Sequence, residues 1–379
     1  MKIAVISLPL HTNYGGILQS YALKKVLEDM GHEATVIDRK VKMPFPKWWK
    51  APFVYLNRAL KHVGRNSAAA PEVFRECRFR KEYPVLSARL QEFISSNISP
   101  MMTDSYGDLR KSGYEAFVVG SDQVWRPRYF GRIEDAFLDF ARDLDVKRVA
   151  YAASFGTDRL EFEAEQLRIC AGLLQDFDGV SVREDSAVAM CDEWLDFSNA
   201  VHVLDPVMLL SVEELSEIAS HASAHRAKGK VMTYILDPAP NKSAVASMVS
   251  RWTCKDIEDL SVRPHDKALP LEKRVVPPVE DWIAGFADAD FVVTDSFHGC
   301  VLAILFHKPF IAVGNSQRGM ARMKSLLDMF GLDMRLVQGI DPEDDGEYFL
   351  KMPDWDEVDR ILEEKRRLSR SFLEESLKD

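Results

Sequence analysis

Four short stretches combine residue types that can do chemistry. In Thr294-Asp295-Ser296-Phe297-His298-Gly299 an imidazole follows the apolar run Phe291-Val292-Val293 and precedes a second apolar run, 300–306. A histidine at such a junction can exchange a proton with an anionic substrate near neutral pH. The alternative is a structural histidine, which the neighbouring Asp295, Ser296 and Gly299 make less attractive. In Ser181-Val182-Arg183-Glu184-Asp185-Ser186, Arg183 stands where a strand ends and a helix begins. A guanidinium there can grip a carboxylate or phosphate through two parallel hydrogen bonds, or it can form a surface pair with Glu184 or Asp185 of little consequence. Asn13-Tyr14-Gly15-Gly16 is a glycine turn ahead of the first helix, and Gly15 and Gly16 would let the backbone approach a ligand. It lacks the G-x-G-x-x-G spacing of a dinucleotide site, and a plain tight turn is the competing reading. In residues 118–125, Asp122, Gln123 and Trp125 follow an apolar strand. A carboxylate and an amide accept from and donate to sugar hydroxyls while an indole stacks on their CH faces. Equally, Asp122 could cap a helix and Trp125 could be core.

These residues need elements to hold them at strand ends. Short apolar runs alternate with amphipathic stretches along the chain, which is the pattern of α/β architecture with parallel strands. KIAVIS, EATVID, FVVGS, RVAYAASF, GVSVRE and NAVHVL read as strands of a first unit. KVMTYIL, DIEDLSV, DFVVTDS and KPFIAVG read as strands of a second. Helices are predicted at 17–30, 162–174, 185–195, 279–287 and 320–330, and a charged helix at 355–377. The pattern predicts two Rossmann-like domains, 1–210 and 211–350, with 351–379 as a helix packing back on the first.

Composition narrows the function classes. Among 379 residues, 59 acidic against 49 basic side chains give a net charge of -10. That sign disfavours general nucleic-acid binding. Five scattered cysteines, none in a C-x-x-C pair, argue against a disulfide scaffold or a cysteine-built zinc site and fit a reducing cytoplasm. No metal-ligand spacing is visible. No stretch reads as an export signal or a bilayer span, since the longest apolar run is broken by Asp295, His298, His307 and Lys308. One segment departs from the rest. Residues 39–65 carry eight Lys or Arg and no acidic residue, with Phe45, Trp48, Trp49, Phe53 and Tyr55 among them. The remainder of the chain is then at -10 minus 8, or -18. A basic aromatic island in an acidic protein suits an anionic surface such as the inner membrane leaflet, and a plain surface loop is the alternative.

Taken in order, YGGILQSYAL, GSDQVW, YAASFG, SVRE, LDPV and TDSFHG with KPFI resemble the polysaccharide pyruvyl transferase family over about 2–332. The resemblance implies a GT-B-like fold, two Rossmann-like domains with a cleft between them. It implies transfer of a pyruvyl group from phosphoenolpyruvate, as co-substrate and with no further cofactor, to a sugar of a bacterial cell-surface polysaccharide or its lipid-linked precursor. Arg183 and His298 correspond to the residues that bind and act on the donor, with Ser296, Gly299 and Lys308 beside it. Asn13, Gly15, Gly16, Asp122, Gln123 and Trp125 would face the acceptor. Family members often carry Arg where this chain has Ser296; either another cation compensates, with Lys308, Arg318 and Arg322 as candidates, or the donor differs. The expected setting is cytoplasmic, at the inner face of the membrane through 39–65. Two other classes fit the same architecture: a glycosyltransferase using a nucleotide sugar, and a non-catalytic glycan-binding protein.

Overall fold

The structure is a computed structural model that describes residues 1–39, 45–63, 72–264, 266, 268–315 and 320–378. Its first sheet comprises β1 (Lys2–Ile6), β2 (Glu33–Arg39), β3 (Met101–Thr103), β4 (Ala116–Asp122), β5 (Lys147–Ala153), β6 (Gly179–Val182) and β7 (Val201–His202). All pairings are parallel, in the order β3-β2-β1-β4-β5-β6-β7. Its second sheet comprises β8 (Val231–Tyr234), β9 (Ile257–Asp259), β10 (Phe291–Thr294), β11 (Phe310–Val313) and β12 (Leu336–Val337), also parallel, in the order β12-β11-β10-β8-β9. The central strands β4, β8, β10 and β11 are buried at every position. That follows from helices covering both faces of a parallel sheet, which is why these strands read as continuous apolar runs rather than alternating ones.

The strand orders decide where a ligand can sit. In each sheet the chain leaves its first strand in one direction and later returns on the other side of it. The reversal falls between β1 and β4 in the first sheet and between β8 and β10 in the second. Open α/β sheets bind ligands at that point, beyond the carboxyl ends of the strands. Asn13 lies in the loop after β1, Asp122 ends β4 and Gln123 follows it, and beyond β10 Ser296 precedes the helix whose first turn holds His298. Two switch points thus face each other across one cleft.

The halves are not loosely tethered. One hydrophobic cluster includes Ile17, Leu18 and Val118 from the first unit together with Trp282, Val301 and Leu302 from the second. The Tyr14 ring stacks on Trp282 at 4.8 Å, and its hydroxyl donates to the Pro277 carbonyl at 2.8 Å. The C-terminal helix Trp355–Ser376 lies against the first sheet. There Leu204 N–H donates to Ser369 Oγ at 3.0 Å, and the Arg366 and Arg370 guanidiniums donate to the carbonyls of Met208 and Leu209.

Three details differ from the sequence pattern. The first helix spans Tyr14–Asp29, so Tyr14, Gly15 and Gly16 form its first turn rather than a loop before it. Strands β3 and β12 went unpredicted because Met101–Thr103 and Leu336–Val337 sit in no apolar run long enough to read as a strand. DIEDLSV keeps only Ile257–Asp259 as strand. No helix among the described residues is long and apolar enough to cross a membrane.

Candidate functional site

The cleft between the two carboxyl edges has a volume of about 610 Å³ and is lined by Leu8, His11, Asn13, Asp122, Gln123, Tyr129, Asp237 and Arg263, among others. At its floor is a recess of about 60 Å³, reached past Asn13, Asp122 and Gln123 and closed by Ser296, Phe297, His298, Asn315 and Arg322.

His298 is the second residue of the helix Phe297–Leu305 and is buried. Ser296 caps that helix, its Oγ accepting from Gly299 N–H at 3.3 Å. Gly299 itself is packed under Thr294, where a Cβ would come within 2.4 Å of Oγ1. Opposite stands the N-terminus of Tyr14–Asp29, whose first turn has no side-chain cap from Asn13. Gly15 is the point of contact: a Cβ there would lie 2.1 Å from His298 Nδ1. The glycine is therefore required by an imidazole from the other half of the molecule. Gly16 contributes its carbonyl, which accepts from Gln19 Nε2 at 2.9 Å and Ser20 Oγ at 2.9 Å. Gln19 in turn accepts Ser121 N–H at 2.9 Å, tying the first helix to the end of β4.

Behind the recess lies a charged cluster with almost no solvent exposure. Arg183, just past β6, donates from Nη1 to Asp205 Oδ2 at 2.8 Å and from Nη2 to Asp122 Oδ1 at 2.9 Å. Asp205 Oδ2 is also 3.5 Å from His298 Nε2. Arg322 Nη1 is 3.6 Å from Asp122 Oδ1. The guanidiniums of Arg183 and Arg322 lie 4.7 and 5.9 Å from the Phe297 ring centroid. Burial pushes both carboxyls upward, but the cations outweigh it and hold Asp122 and Asp205 below the usual carboxylate range. Burial likewise opposes the charge on Arg183, and its two aspartates overcome that and raise it. Arg322 is different. Burial, then the like charge of Arg183, bring its guanidinium down to about 10 against the pull of Asp122. It remains a cation at neutral pH, and it is the cation of this cluster that lines the recess.

The sequence candidates sort accordingly. Asn13, Asp122, Gln123, Ser296 and His298 meet at one place. Arg183 is adjacent, but its two terminal nitrogens are engaged by aspartates, so it is not a free fork for a donor. Trp125 is core: it is fully buried, stacks on Phe137 at 4.9 Å, and donates from Nε1 to the Ala136 carbonyl at 3.2 Å. A ring with no exposed face cannot stack on a sugar. Half-exposed Tyr129, flanked by Arg126 and Arg128 at 4.9 and 5.5 Å, offers an aromatic face to the cleft instead. Lys308 is removed from the recess. It follows the far end of a nine-residue helix, roughly 13 Å long, and sits near Asp288 and Asp290 at the amino edge of the second sheet. Arg318 lies outside the described residues. Asp295 does not orient His298. Its two oxygens accept from Leu236 N–H at 2.6 Å, Asp237 N–H at 3.1 Å, Lys242 Nζ at 2.7 Å and Asn315 Nδ2 at 2.9 Å.

The residue nearest to an orienting role is Asp205, which sequence reasoning passed over. The signal was present in LDPV, but Asp-Pro reads as a helix start. Asp205 does cap one, accepting Val207 N–H at 3.0 Å through Oδ1 and leaving Oδ2 for Arg183 and His298.

Compared with known families, the chain matches polysaccharide pyruvyl transferases over residues 13–317. No curated protein matches it. Among solved structures it is similar to a UDP-GlcNAc 2-epimerase from Neisseria meningitidis, with a TM-score of 0.50, 10% identity and 100% of each chain covered. It is also similar to a UDP-glucosyltransferase from Polygonum tinctorium, with a TM-score of 0.43, 12% identity, and 99% of this chain and 97% of the other covered. The first likeness fits the GT-B-like arrangement of two Rossmann-like sheets about a cleft.

Proposed function

The chain belongs to the polysaccharide pyruvyl transferase family, and from that premise we propose that it moves a pyruvyl group from phosphoenolpyruvate onto two hydroxyls of a sugar, forming a cyclic ketal. The acceptor belongs to a cell-surface polysaccharide or its lipid-linked precursor, met at the inner face of the membrane. One observation carries the donor assignment. Two helix N-termini, from Tyr14–Asp29 and Phe297–Leu305, converge on a small recess that also holds Arg322 and His298. Helix N-termini present N–H groups and a partial positive charge, so this is a site for a small, densely charged anion. Arg322 takes the part of the arginine that Ser296 replaces.

In this mechanism His298, with Asp205 3.5 Å from its Nε2, gives a proton to the methylene carbon of the donor, making the central carbon electrophilic. One sugar hydroxyl oxygen bonds to that carbon. A second then displaces phosphate and closes the ring. Of the two hydroxyl protons released, one restores His298 and the other leaves with phosphate. Arg322 and the helix N-termini stabilise charge building on the phosphate. Asn13, Gln123, Asp237 and Tyr129 line the wider cleft, where the acceptor would lie.

The test is phosphate release from phosphoenolpyruvate with lipid-linked galactose, mannose and hexosamine acceptors. His298→Gln should lower kcat by about 10²–10⁴-fold while retaining donor binding. A variant that keeps more than about a tenth of kcat would reduce His298 to a positioning role, that loss being below the range for acid–base catalysis. A second reading, nucleotide-sugar transfer, draws on a neighbouring hollow of about 400 Å³ lined by Tyr14, Leu260, Val262 and Trp282, apolar enough for a base. Inhibition by a nucleoside diphosphate, with no phosphate release from phosphoenolpyruvate, would select it.

A further inference from the structure

The helix Ala51–Val63 is amphipathic but mounted the wrong way round for a protein surface. Its inward side carries Arg58, which donates to Glu76 Oε2 at 2.9 Å and Oε1 at 2.8 Å and to the Val73 carbonyl at 3.1 Å. Tyr55 packs beside it on Phe74 at 5.0 Å. Glu76 is buried, so this ion pair fixes the helix rotation from below. The outward side is therefore apolar: Phe53 is 75% exposed, Leu56 59% and Leu60 64%, at the i, i+3, i+7 spacing of one helix face. Trp48, 82% exposed, stands just before the helix, edge-on to Trp49. A soluble helix buries such a stripe; contiguous exposed apolar surface marks an interaction site.

The surrounding charge says what kind of partner. Lys47, Lys50 and Lys61 flank the stripe, and no acidic residue occurs anywhere in 39–65. An apolar stripe with a tryptophan and a lysine rim matches an anionic lipid surface: the indole and leucines enter the interfacial layer while the lysines pair with headgroups. A protein-docking face would not need a segment of one charge sign in a chain of net charge -10.

Topology then links this surface to the cleft. The segment leaves the sheet at the carboxyl end of β2, the same edge on which the cleft opens. At its root Asp38 accepts N–H groups from Arg39 at 2.8 Å and from Leu10 at 3.0 Å, and Leu10 belongs to the loop that lines the cleft with Leu8, His11 and Asn13. We propose that the outward face of Ala51–Val63, with Trp48 and the rim of Lys47, Lys50 and Lys61, is a docking surface for anionic membrane lipid that brings the cleft to the bilayer where a lipid-linked acceptor is embedded.

Co-sedimentation of the full chain with phosphatidylglycerol vesicles, against phosphatidylcholine vesicles, tests this without substrate. Binding should be strong to the first, weak to the second, and reduced by salt. Replacing Lys47, Lys50 and Lys61 by Ser should weaken it about 100-fold, at about 1 kcal/mol per lysine near an anionic surface. Replacing Trp48, Phe53, Leu56 and Leu60 by Ser should abolish the salt-resistant part. Both variants alter exposed residues and should keep wild-type melting and wild-type turnover on a water-soluble acceptor. Equal binding to both lipids, or no binding to either, overturns the proposal. So does a concentration-dependent dimer that the apolar variant abolishes, which would make the stripe a contact between two copies. Vesicle binding is read independently of phosphate release, so failure here leaves the pyruvyl-transfer reading to stand or fall by its own assay.

Discussion

Arg183→Met should damage folding before it damages donor recognition. The guanidinium bridges Asp205 at 2.8 Å and Asp122 at 2.9 Å, and all three side chains are buried. Methionine matches much of the volume but leaves two buried carboxylates short of a cation. Asp122 then keeps Arg322 at 3.6 Å, and Asp205 keeps His298 at 3.5 Å, both longer contacts. Removing one partner of a buried ion pair costs about 3–5 kcal/mol. With an unfolding entropy of about 2.1 cal/mol/K per residue over 379 residues, or about 0.8 kcal/mol/K, the melting temperature should fall by about 4–6 °C if the chain unfolds as one unit. Arg183→Lys keeps the charge but cannot reach both aspartates. It forfeits one charge-assisted bond, about 1.5–3 kcal/mol, for a fall of about 2–4 °C. The assay pairs thermal unfolding with phosphoenolpyruvate affinity measured well below the melting temperature. A Met variant that melts within about 1 °C of wild type but binds the donor more than tenfold more weakly, a difference of about 1.4 kcal/mol, would refute this reasoning. Arg183 would then be a donor fork after all.

Gly15→Ala brings a methyl group within 2.1 Å of His298 Nδ1 and must displace the ring. A shift of that kind should lower kcat by about 10²-fold with circular dichroism unchanged; unaltered kcat would separate Gly15 from the catalytic geometry. Trp125→Ala should cost about 3–5 kcal/mol of stability in denaturant unfolding. Tyr129→Ala should leave stability intact and raise the acceptor KM about three- to tenfold, the size of one lost aromatic contact; the opposite pattern would restore Trp125 as the sugar platform. Burial raises the Asp38 carboxyl from 3.8 to about 6, in spite of two N–H donors. An acid with a raised folded pKa contributes stability below its unfolded pKa and loses it as pH rises through the folded one. Asp38→Asn should therefore gain on wild type between pH 4 and 7, by up to about 3 kcal/mol from a shift of about two units; a flat difference across that window would refute the assignment.

Much of this site was legible in the sequence for one reason: α/β proteins put function where strands end. FVV before TDSFHG and FVVGS before DQVW announce buried strands by composition alone. The residues that follow are then bound for a carboxyl edge, whatever the topology. Hence His298, Asp122, Gln123 and Asn13 were identifiable, as were most of the twelve strands among the described residues. What strand ends cannot say is which of them meet. That depends on strand order, a long-range property: β4 inserts beside β1, and β10 beside β8, and only then do the two switch points face each other. Tertiary structure also assigned each side chain its partner. Arg183 looked like an open fork because its aspartates are 61 and 22 residues away. Asp205 went unread because the groups its Oδ2 meets, Arg183 and His298, are 22 and 93 residues away. Trp125 looked like a sugar platform because one apolar ring reads the same whether it faces solvent or Phe137. Gly15 looked like a turn residue, and its cause is an imidazole 283 positions later in the chain. Composition and periodicity record what a residue prefers locally; burial and pairing between distant segments decide what it does.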